Sequence, residues 1–292
     1  MNILPGISKR AVIYVLIFST FIFLSLTARL DAADFDHSYA NYDQLLHLVV
    51  HVSADKKQTR VDYQQLAIKK NLLNTLLISF SAVTKSQYDA WNQKQKLSFL
   101  INTYNAFTLK LIVDNWQEFT QGDAESIRDL GSLFTSPWEK KFFTLFGEKH
   151  NLDDIEHEMI RTWFKEPRIH AALVCAAVSC PPLRNEAFIA DKLTEQLDNQ
   201  MQLFLADNSR NEIIVDGQKG KASLSSIFKW YRKDFKKGNE GFHSLFDLLA
   251  AYSNAMVDGD NNPQAQRSFI QRADYPITFK DYDWRLNDTA NF

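Results

Sequence analysis

The residues with the clearest potential for chemistry lie in one stretch, HAALVCAAVSCPPLRNEAF, at positions 170 to 188. It contains both cysteines of the chain, Cys175 and Cys180, together with His170 and a double proline directly after Cys180. A thiolate beside a histidine can act as a nucleophile, two thiols can form a disulfide, and both residue types bind zinc. The stretch therefore indicates a thiol site, a disulfide or a metal site.

A disulfide between Cys175 and Cys180 requires that the backbone turns between them. In a straight strand their odd spacing would place the two side chains on opposite faces. Closing so short a ring stabilises a fold by about 2 kcal/mol before any strain is subtracted. The pair could be structural or redox-active, although the spacing is not the Cys-x-x-Cys of thioredoxin-like enzymes.

The N-terminus bears on the state of these cysteines because it indicates the compartment. Residues 1 to 10 are short and basic, residues 11 to 26 are uncharged and almost wholly apolar, and small residues follow around Ala32. This order predicts a secretory signal peptide over residues 1–32, whose apolar run is slightly shorter than the roughly 18 to 20 residues of a membrane anchor. We therefore expect a periplasmic or secreted protein, without stable membrane insertion after signal cleavage, in a compartment where thiols pair.

The composition narrows the class of partner. The chain has a formal net charge of -2, with 45% hydrophobic and 13% aromatic residues, as in an ordinary soluble globular protein. This near-neutral balance gives no electrostatic reason to expect binding of nucleic acid. The expected partner is a small molecule or peptide, no cofactor is predicted, and residues 33–292 are predicted to form a single domain.

Hydrophobic periodicity predicts a mostly helical chain. Apolar residues at three- and four-residue spacing predict helices over 66–84, 87–116 and 191–206, and the second is apolar enough to cross the core. Residues 140–152 and 211–225 instead show two apolar runs around a turn, which is typical of a β-hairpin. The predicted fold class is α+β, a mostly helical single domain with two β-hairpins that form a small, mainly antiparallel sheet.

Several motifs follow one another in an order that resembles a known family. They are LSFLINTYNAFTLKLIVD, SIRDLGSLFTSPWEKKFFTLFGEK, LDDIEHEMIR, PRIHAALVCAAVSCPPLRNEAF and YDWRLND. The chain resembles the family catalogued as domain of unknown function 547 over about residues 43 to 288, as an exported bacterial member. The resemblance implies the boundaries of the fold and the importance of these stretches, and it implies no reaction.

One hypothesis is a thiol-dependent hydrolase or acyltransferase with Cys180 as its nucleophile. The base would be His157, the histidine that the resemblance marks best, or His170. Asn105 lies in an otherwise apolar helix, where a buried amide needs a partner, and would orient the histidine or donate to an oxyanion. The hypothesis requires a free thiol and a nearby positive charge that stabilises the thiolate.

The alternative hypothesis is a non-catalytic periplasmic binding or interaction module. Here a structural or redox disulfide between Cys175 and Cys180 would shape the loop that binds the ligand. In either case Arg184 is a candidate binding residue, since its guanidinium can hold a carboxylate, and Asn287 could turn toward the site. The sequence leaves both hypotheses open.

Metal binding is the least supported chemistry. The spacing of the histidines and cysteines matches no compact ligand pattern, so no metal site is predicted. His47 and His51 have the four-residue spacing of a helical metal site, but the glutamate of a metalloprotease helix is missing after His47.

Two other groups of residues have structural interpretations. The carboxylates of LDDIEHE could supply an acid and a base, but acidic residues are also common at helix starts, where they cap the helix. Trp138, Trp163 and Trp230 are predicted to pack in the core rather than to form a platform for a sugar.

Overall fold

The computed structural model describes residues 34–132, 134–216, 219–237, 240–257 and 262–291. Phe35–Phe292 form one compact unit. The predicted signal peptide, residues 1–32, lies outside the described residues. The described part is mostly helical with small sheets, which confirms the predicted α+β class. Within it, no helix combines the length and the apolar character needed to cross a membrane.

The helical elements account for most of the described chain. The α-helices are α1 (Ala40–Val49), α2 (Tyr63–Ile68), α3 (Lys70–Ser81), α4 (Lys85–Ala90), α5 (Gln93–Asp114), α6 (Trp116–Gln121), α7 (Arg161–Trp163), α8 (Leu193–Ala206), α9 (Ile227–Trp230), α10 (Leu245–Ala251) and α11 (Pro263–Gln271). A π-helix over Asp154–Ile160 leads into α7. Short 3₁₀ helices include Pro137–Glu139 and Pro167–Ala171, which both contribute to the site described below.

The strands form three separate sheets in the described residues. They are β1 (Val50–Val52), β2 (Thr59–Val61), β3 (Phe143–Leu145), β4 (Glu148–His150), β5 (Glu212–Asp216), β6 (Lys219–Leu224) and β7 (Ile277–Phe279). Both predicted hairpins exist, as β3–β4 and β5–β6, but they do not share a sheet. A third hairpin, β1–β2, was not predicted, and β7 adds to β6 in parallel.

Helix α5 is the central element of the larger hydrophobic core. Its start is fixed by Asn92, whose side chain accepts a hydrogen bond from the backbone of Gln95, while the Gln95 side chain accepts one from the backbone of Asn92. This reciprocal cap satisfies backbone N–H groups that the first turn leaves without partners. It also explains why the helix predicted over 87–116 is divided, with α4 ending at Ala90 and α5 beginning at Gln93.

Two buried clusters divide the apolar interior. The larger cluster includes residues of α1, α3 and α5 together with Cys180. The smaller cluster includes residues of α8, the β5–β6–β7 sheet, α9, α10 and α11. Residues from both clusters line the cavity described next.

Candidate functional site

A disulfide joins Cys175 and Cys180 and closes a tight loop. Their Cα atoms are 6.1 Å apart. The backbone turns at Ala176, whose φ of 58° lies in the left-handed region, and the Cys180 N–H then donates to the Ala177 carbonyl at 3.1 Å. The turn that a disulfide at this spacing requires is therefore present, and the predicted pair is formed.

The side chain of Asn105 holds the backbone that leads into the disulfide loop. Its Nδ2 donates to the carbonyl of Ala172 at 2.9 Å, and its Oδ1 accepts from the N–H of Val174 at 3.0 Å. Both ends of the buried amide are thus engaged by the backbone. Asn105 is a positioning residue for the loop, and its predicted role as an oxyanion donor or histidine partner does not agree with this geometry.

The segment that follows β7 holds the loop from the opposite side. The N–H of Val178 donates to the carbonyl of Arg285 at 2.9 Å, and the N–H of Asn287 donates to the carbonyl of Ala176 at 3.0 Å. The Asn287 side chain accepts from the hydroxyl of Tyr63 at 3.0 Å. Asn287 therefore supports the loop through its backbone, and its side chain does not line the cavity as predicted.

A cavity of about 260 Å³ lies over the disulfide. Its walls come from α5, the 3₁₀ helices, the π-helix, the disulfide loop, α9 and the segment after β7. The lining residues are Tyr104, Trp138, Asp153, Glu156, His157, His170, Leu173, Cys175, Cys180, Ile227, Trp230, Tyr231, Tyr282 and Trp284. The structure therefore brings together four of the predicted site residues, namely the two cysteines and the two histidines.

His170 is a buried histidine held by an acidic partner. Its Nε2 lies 2.9 Å from a carboxylate oxygen of Asp234, and its ring stacks on Tyr231 with the centroids 3.9 Å apart. Burial lowers the pKa of His170, against the opposing hydrogen bond to Asp234. The neutral imidazole then donates from Nε2, so this nitrogen is committed to Asp234.

His157 lies on the π-helix at the edge of the cavity and is partly exposed. Its Nδ1 accepts from Nη1 of Arg161 at 2.8 Å, and its Nε2 lies 3.6 Å from Oδ1 of Asp153. Arg161 also donates from Nε to Asp234 at 2.6 Å. A chain of polar contacts therefore connects the two histidines through Arg161 and Asp234.

Glu156 is a deeply buried carboxylate that the sequence interpretation assigned to helix capping. It is 6% exposed and lines the cavity. The pKa values of Tyr104 and Tyr231 are raised, first by burial and then by the negative charge of Glu156. The π-helical turn that carries Glu156 is a backbone form that is often found at functional sites.

Aromatic rings form another part of the cavity wall. Tyr282 contacts both Trp230 and Trp284, with centroid distances of 4.8 Å and 4.5 Å, and Trp284 also contacts Trp230 and Trp138, each at 5.9 Å. Trp230 is 48% exposed. The prediction that Trp230 packs in the core was wrong, whereas Trp138 packs against the larger cluster and also lines the cavity. Trp163 is also half-exposed, at 44%, and lies outside the cavity wall.

Arg184 does not reach the cavity over the disulfide. Its guanidinium forms an ion pair with Glu186 and donates to Asn199 at 2.8 Å, beside a separate cavity of about 240 Å³. Because Arg184 does not line the cavity over the disulfide, the prediction that it binds a substrate carboxylate at the cysteine site is not supported.

The remaining histidine pair does not form a site. His47 lies in α1, where its Nδ1 contacts the carbonyl of Asp43, whereas His51 lies in β1 opposite Arg60. The two side chains therefore do not share a helix face. Over the described ranges, no group of three or more histidine, cysteine, aspartate or glutamate residues has a geometry suited to a metal ion.

Both cysteine sulfurs of the site are paired in the disulfide. Cys180 is 2% exposed, and its Sγ is bonded to Cys175 and accepts from the Cys175 N–H. The Sγ of Cys175 lies 3.1 Å from the hydroxyl of Tyr282. In the part of the chain that the structure describes, no hydrogen bond joins a histidine to Cys180. A thiol nucleophile would exist only after reduction.

Fold and site together define a mostly helical α+β protein with an aromatic and acidic cavity over a disulfide. Residues 88–205 match the family model described as "Protein of unknown function, DUF547". The match confirms the family resemblance, over a shorter stretch than the motifs predicted. It includes Tyr104, Glu156 and the disulfide, whereas the wall formed by residues 227–284 lies beyond it. No curated protein and no solved structure gave a significant match to the chain.

Proposed function

We propose that this protein is an exported binding module whose cavity over the Cys175–Cys180 disulfide takes a small molecule or a peptide side chain. The observation that carries the proposal is the cavity itself. Its aromatic walls and few converging polar groups are typical of a small-molecule site, and its volume of about 260 Å³, just below the usual range of roughly 300–1,000 Å³, suits a small ligand. Export rests on the signal peptide expected over residues 1–32, and it agrees with a paired state of both cysteines.

The support of the loop favours a binding role over a catalytic one. Asn105 and the backbone of residues 283 to 287 hold the loop, so the oxidised ring is a fixed part of the cavity. The Nε2 of His170 and the Nδ1 of His157 already have partners in Asp234 and Arg161. A preformed cavity lowers the entropy cost of binding a ligand.

Ligand-observed NMR with neutral, cationic and anionic fragments tests the binding role. We expect some fragments to bind the wild type, and Trp230→Ala to weaken their binding by about tenfold, because a large contact in the wall is lost. Trp163→Ala is the matched control, since Trp163 is similarly exposed but lies outside the cavity. Fragments that bind Trp230→Ala as well as the wild type, or the absence of binding by every fragment, would contradict the proposal.

A second candidate function is a thiol-dependent hydrolase or acyltransferase that uses Cys180 after reduction. It is favoured by one observation, the presence of both cysteines and both histidines around a single cavity. This candidate predicts hydrolysis of p-nitrophenyl acetate by the reduced protein, lost in Cys180→Ser and retained in Cys175→Ser. Equal rates in the two variants would contradict it.

A further inference from the structure

We infer that the cavity over the disulfide binds an organic cation, a protonated or quaternary ammonium group. The inference rests on the proposed binding function and adds the chemical class of the ligand. It is carried by two walls that face one cavity, one of aromatic rings and one of carboxylates. Both walls attract positive charge for different physical reasons.

The rings of the aromatic wall are mostly inclined to one another, although those of Trp230 and Trp284 are stacked at 22° with their centroids 5.9 Å apart. The rings of Trp230 and Tyr282 are inclined by 48°, those of Tyr282 and Trp284 by 48°, and those of Trp138 and Trp284 by 69°. The face of each ring is negative, so a cation in the cavity is attracted by the ring faces that line it. A single sugar ring would instead stack on one flat face.

The acidic wall consists of Asp153 and Glu156. Both carboxylates line the cavity, whereas none of the lining residues in the described chain is a lysine or an arginine. Arg161, which does not line the cavity, contacts Asp234 and His157, and its charge also interacts with Glu156. The cavity therefore holds two carboxylates without a lysine or arginine of its own.

The local electrostatics agree with this assignment. Burial raises the pKa of Asp153, the negative charges of Glu156, Glu139 and Asp154 act in the same direction, and His157 opposes them. A cation bound in the cavity would favour the charged form of Asp153. Both carboxylates would repel an anionic ligand, and the repulsion is stronger in a site that is partly removed from water.

Two arginines lie near the aromatic rings but leave the cavity open. The guanidinium of Arg128 lies 5.1 Å from the centroid of Trp284, and that of Arg161 lies 5.1 Å from the centroid of Tyr231. Neither arginine lines the cavity. Trp284 and Tyr231 therefore each have a guanidinium at cation–π distance that does not line the cavity.

The test compares choline with its neutral isostere 3,3-dimethylbutan-1-ol by isothermal titration calorimetry on the oxidised protein. The two probes have the same shape, and only choline carries a charge. We expect choline to bind about tenfold more tightly, and Glu156→Gln to remove most of this preference. Glu158→Gln is the matched control, because Glu158 lies on the same π-helix but is exposed and does not line the cavity.

Two further variants test the inference even if Glu156→Gln does not fold. Asp153→Asn should also reduce the preference for choline, since Asp153 is the other carboxylate of the wall. Trp284→Leu should weaken choline more than the isostere, because leucine keeps an apolar contact but has no negative ring face. An unchanged ratio of the two affinities in both variants would overturn the inference.

Other outcomes separate this inference from the proposed function. Equal binding of the two probes, or tighter binding of the neutral one, would overturn the cation assignment and leave a binding cavity for neutral molecules. The cation assignment would also be overturned if choline did not bind while neutral or anionic fragments did, and if Trp230→Ala weakened the binding of those fragments. If no fragment and neither probe binds, both the inference and the proposed function fail.

Discussion

At the scale of single residues, the site depends on side chains that hold the backbone as much as on those that face the cavity. Asn105 is the clearest case, because its amide bonds two backbone groups just before Cys175. A buried amide in an apolar helix indicated an important residue, but no local pattern indicated which groups it would contact. Its predicted chemical role was replaced by a positioning role.

Replacing Asn105 with alanine tests this positioning role. Asn105→Ala leaves the carbonyl of Ala172 and the N–H of Val174 buried without these partners, so we expect a loss of roughly 2–3 kcal/mol in the free energy of unfolding. Chemical denaturation of the oxidised protein measures it. Asn208→Ala, at an exposed position, should change the stability by less than about 0.5 kcal/mol. A similar small change in Asn105→Ala would show that the contacts do not hold the loop.

The environment of His170 predicts how stability depends on pH. Asp234 and Glu156 favour its charged form, Arg161 disfavours it, and burial has the largest effect and lowers its pKa. In the unfolded chain histidine titrates near its ordinary pKa of about 6.5. The unfolded state therefore binds more protons than the native state around this pH, and stability falls as the pH falls.

Denaturation between about pH 7.5 and pH 6, above the range where carboxylates titrate, measures this effect. We expect a decrease in the free energy of unfolding toward the lower pH, and a flatter profile in His170→Gln. His243→Gln, at an exposed position, should keep the slope of the wild type. A steeper slope in His170→Gln, or greater stability of the wild type at the lower pH, would contradict a buried neutral imidazole.

Some residues of the site could be predicted from the sequence and others could not. The cysteines and His170 are close in sequence, and the motif LDDIEHEMIR marked His157. Glu156 belongs to the same motif, but its acidic neighbours gave it the ordinary interpretation of a helix cap. Trp230 and Tyr282 are about fifty to a hundred positions from the disulfide, and no local pattern indicates that they reach it.

At the scale of elements, local signals were reliable and long-range pairing was not. The hairpins β3–β4 and β5–β6 follow from turn residues between apolar runs, so they could be predicted. Strand β7 pairs in parallel with β6, more than fifty residues earlier in the chain. No local sequence pattern predicts a pairing at that separation. The π-helix over Asp154–Ile160 begins in the motif LDDIEHE, whose acidic residues indicated the start of a helix but not its π form.

The disulfide loop is an element whose contribution can be measured directly. Cys175→Ala and Cys180→Ala each remove the same bond, and loop closure gives a loss of about 2 kcal/mol for either variant under oxidising conditions. Chemical denaturation with and without reductant measures the loss. In reductant, both variants should approach the stability of the wild type. Clearly unequal losses under oxidising conditions would indicate that one cysteine has a separate structural role.

At the scale of the whole molecule, the cavity is formed where two hydrophobic clusters meet. Tyr104 and the disulfide come from the larger cluster and its surroundings, whereas Ile227 and Tyr231 come from the smaller one. The segment after β7 adds Tyr282 and Trp284. The wall supplied by residues 227–284 lies outside the match to the family model.

The central claim is that the paired cysteines form the floor of a binding cavity, and their redox state tests it most directly. Protein taken from its native compartment is treated with an alkylating reagent and read by mass spectrometry without reduction. We predict that Cys175 and Cys180 are linked quantitatively and that neither is alkylated. Free Cys180 that alkylates rapidly below neutral pH would contradict the claim and favour the thiol-dependent hydrolase or acyltransferase.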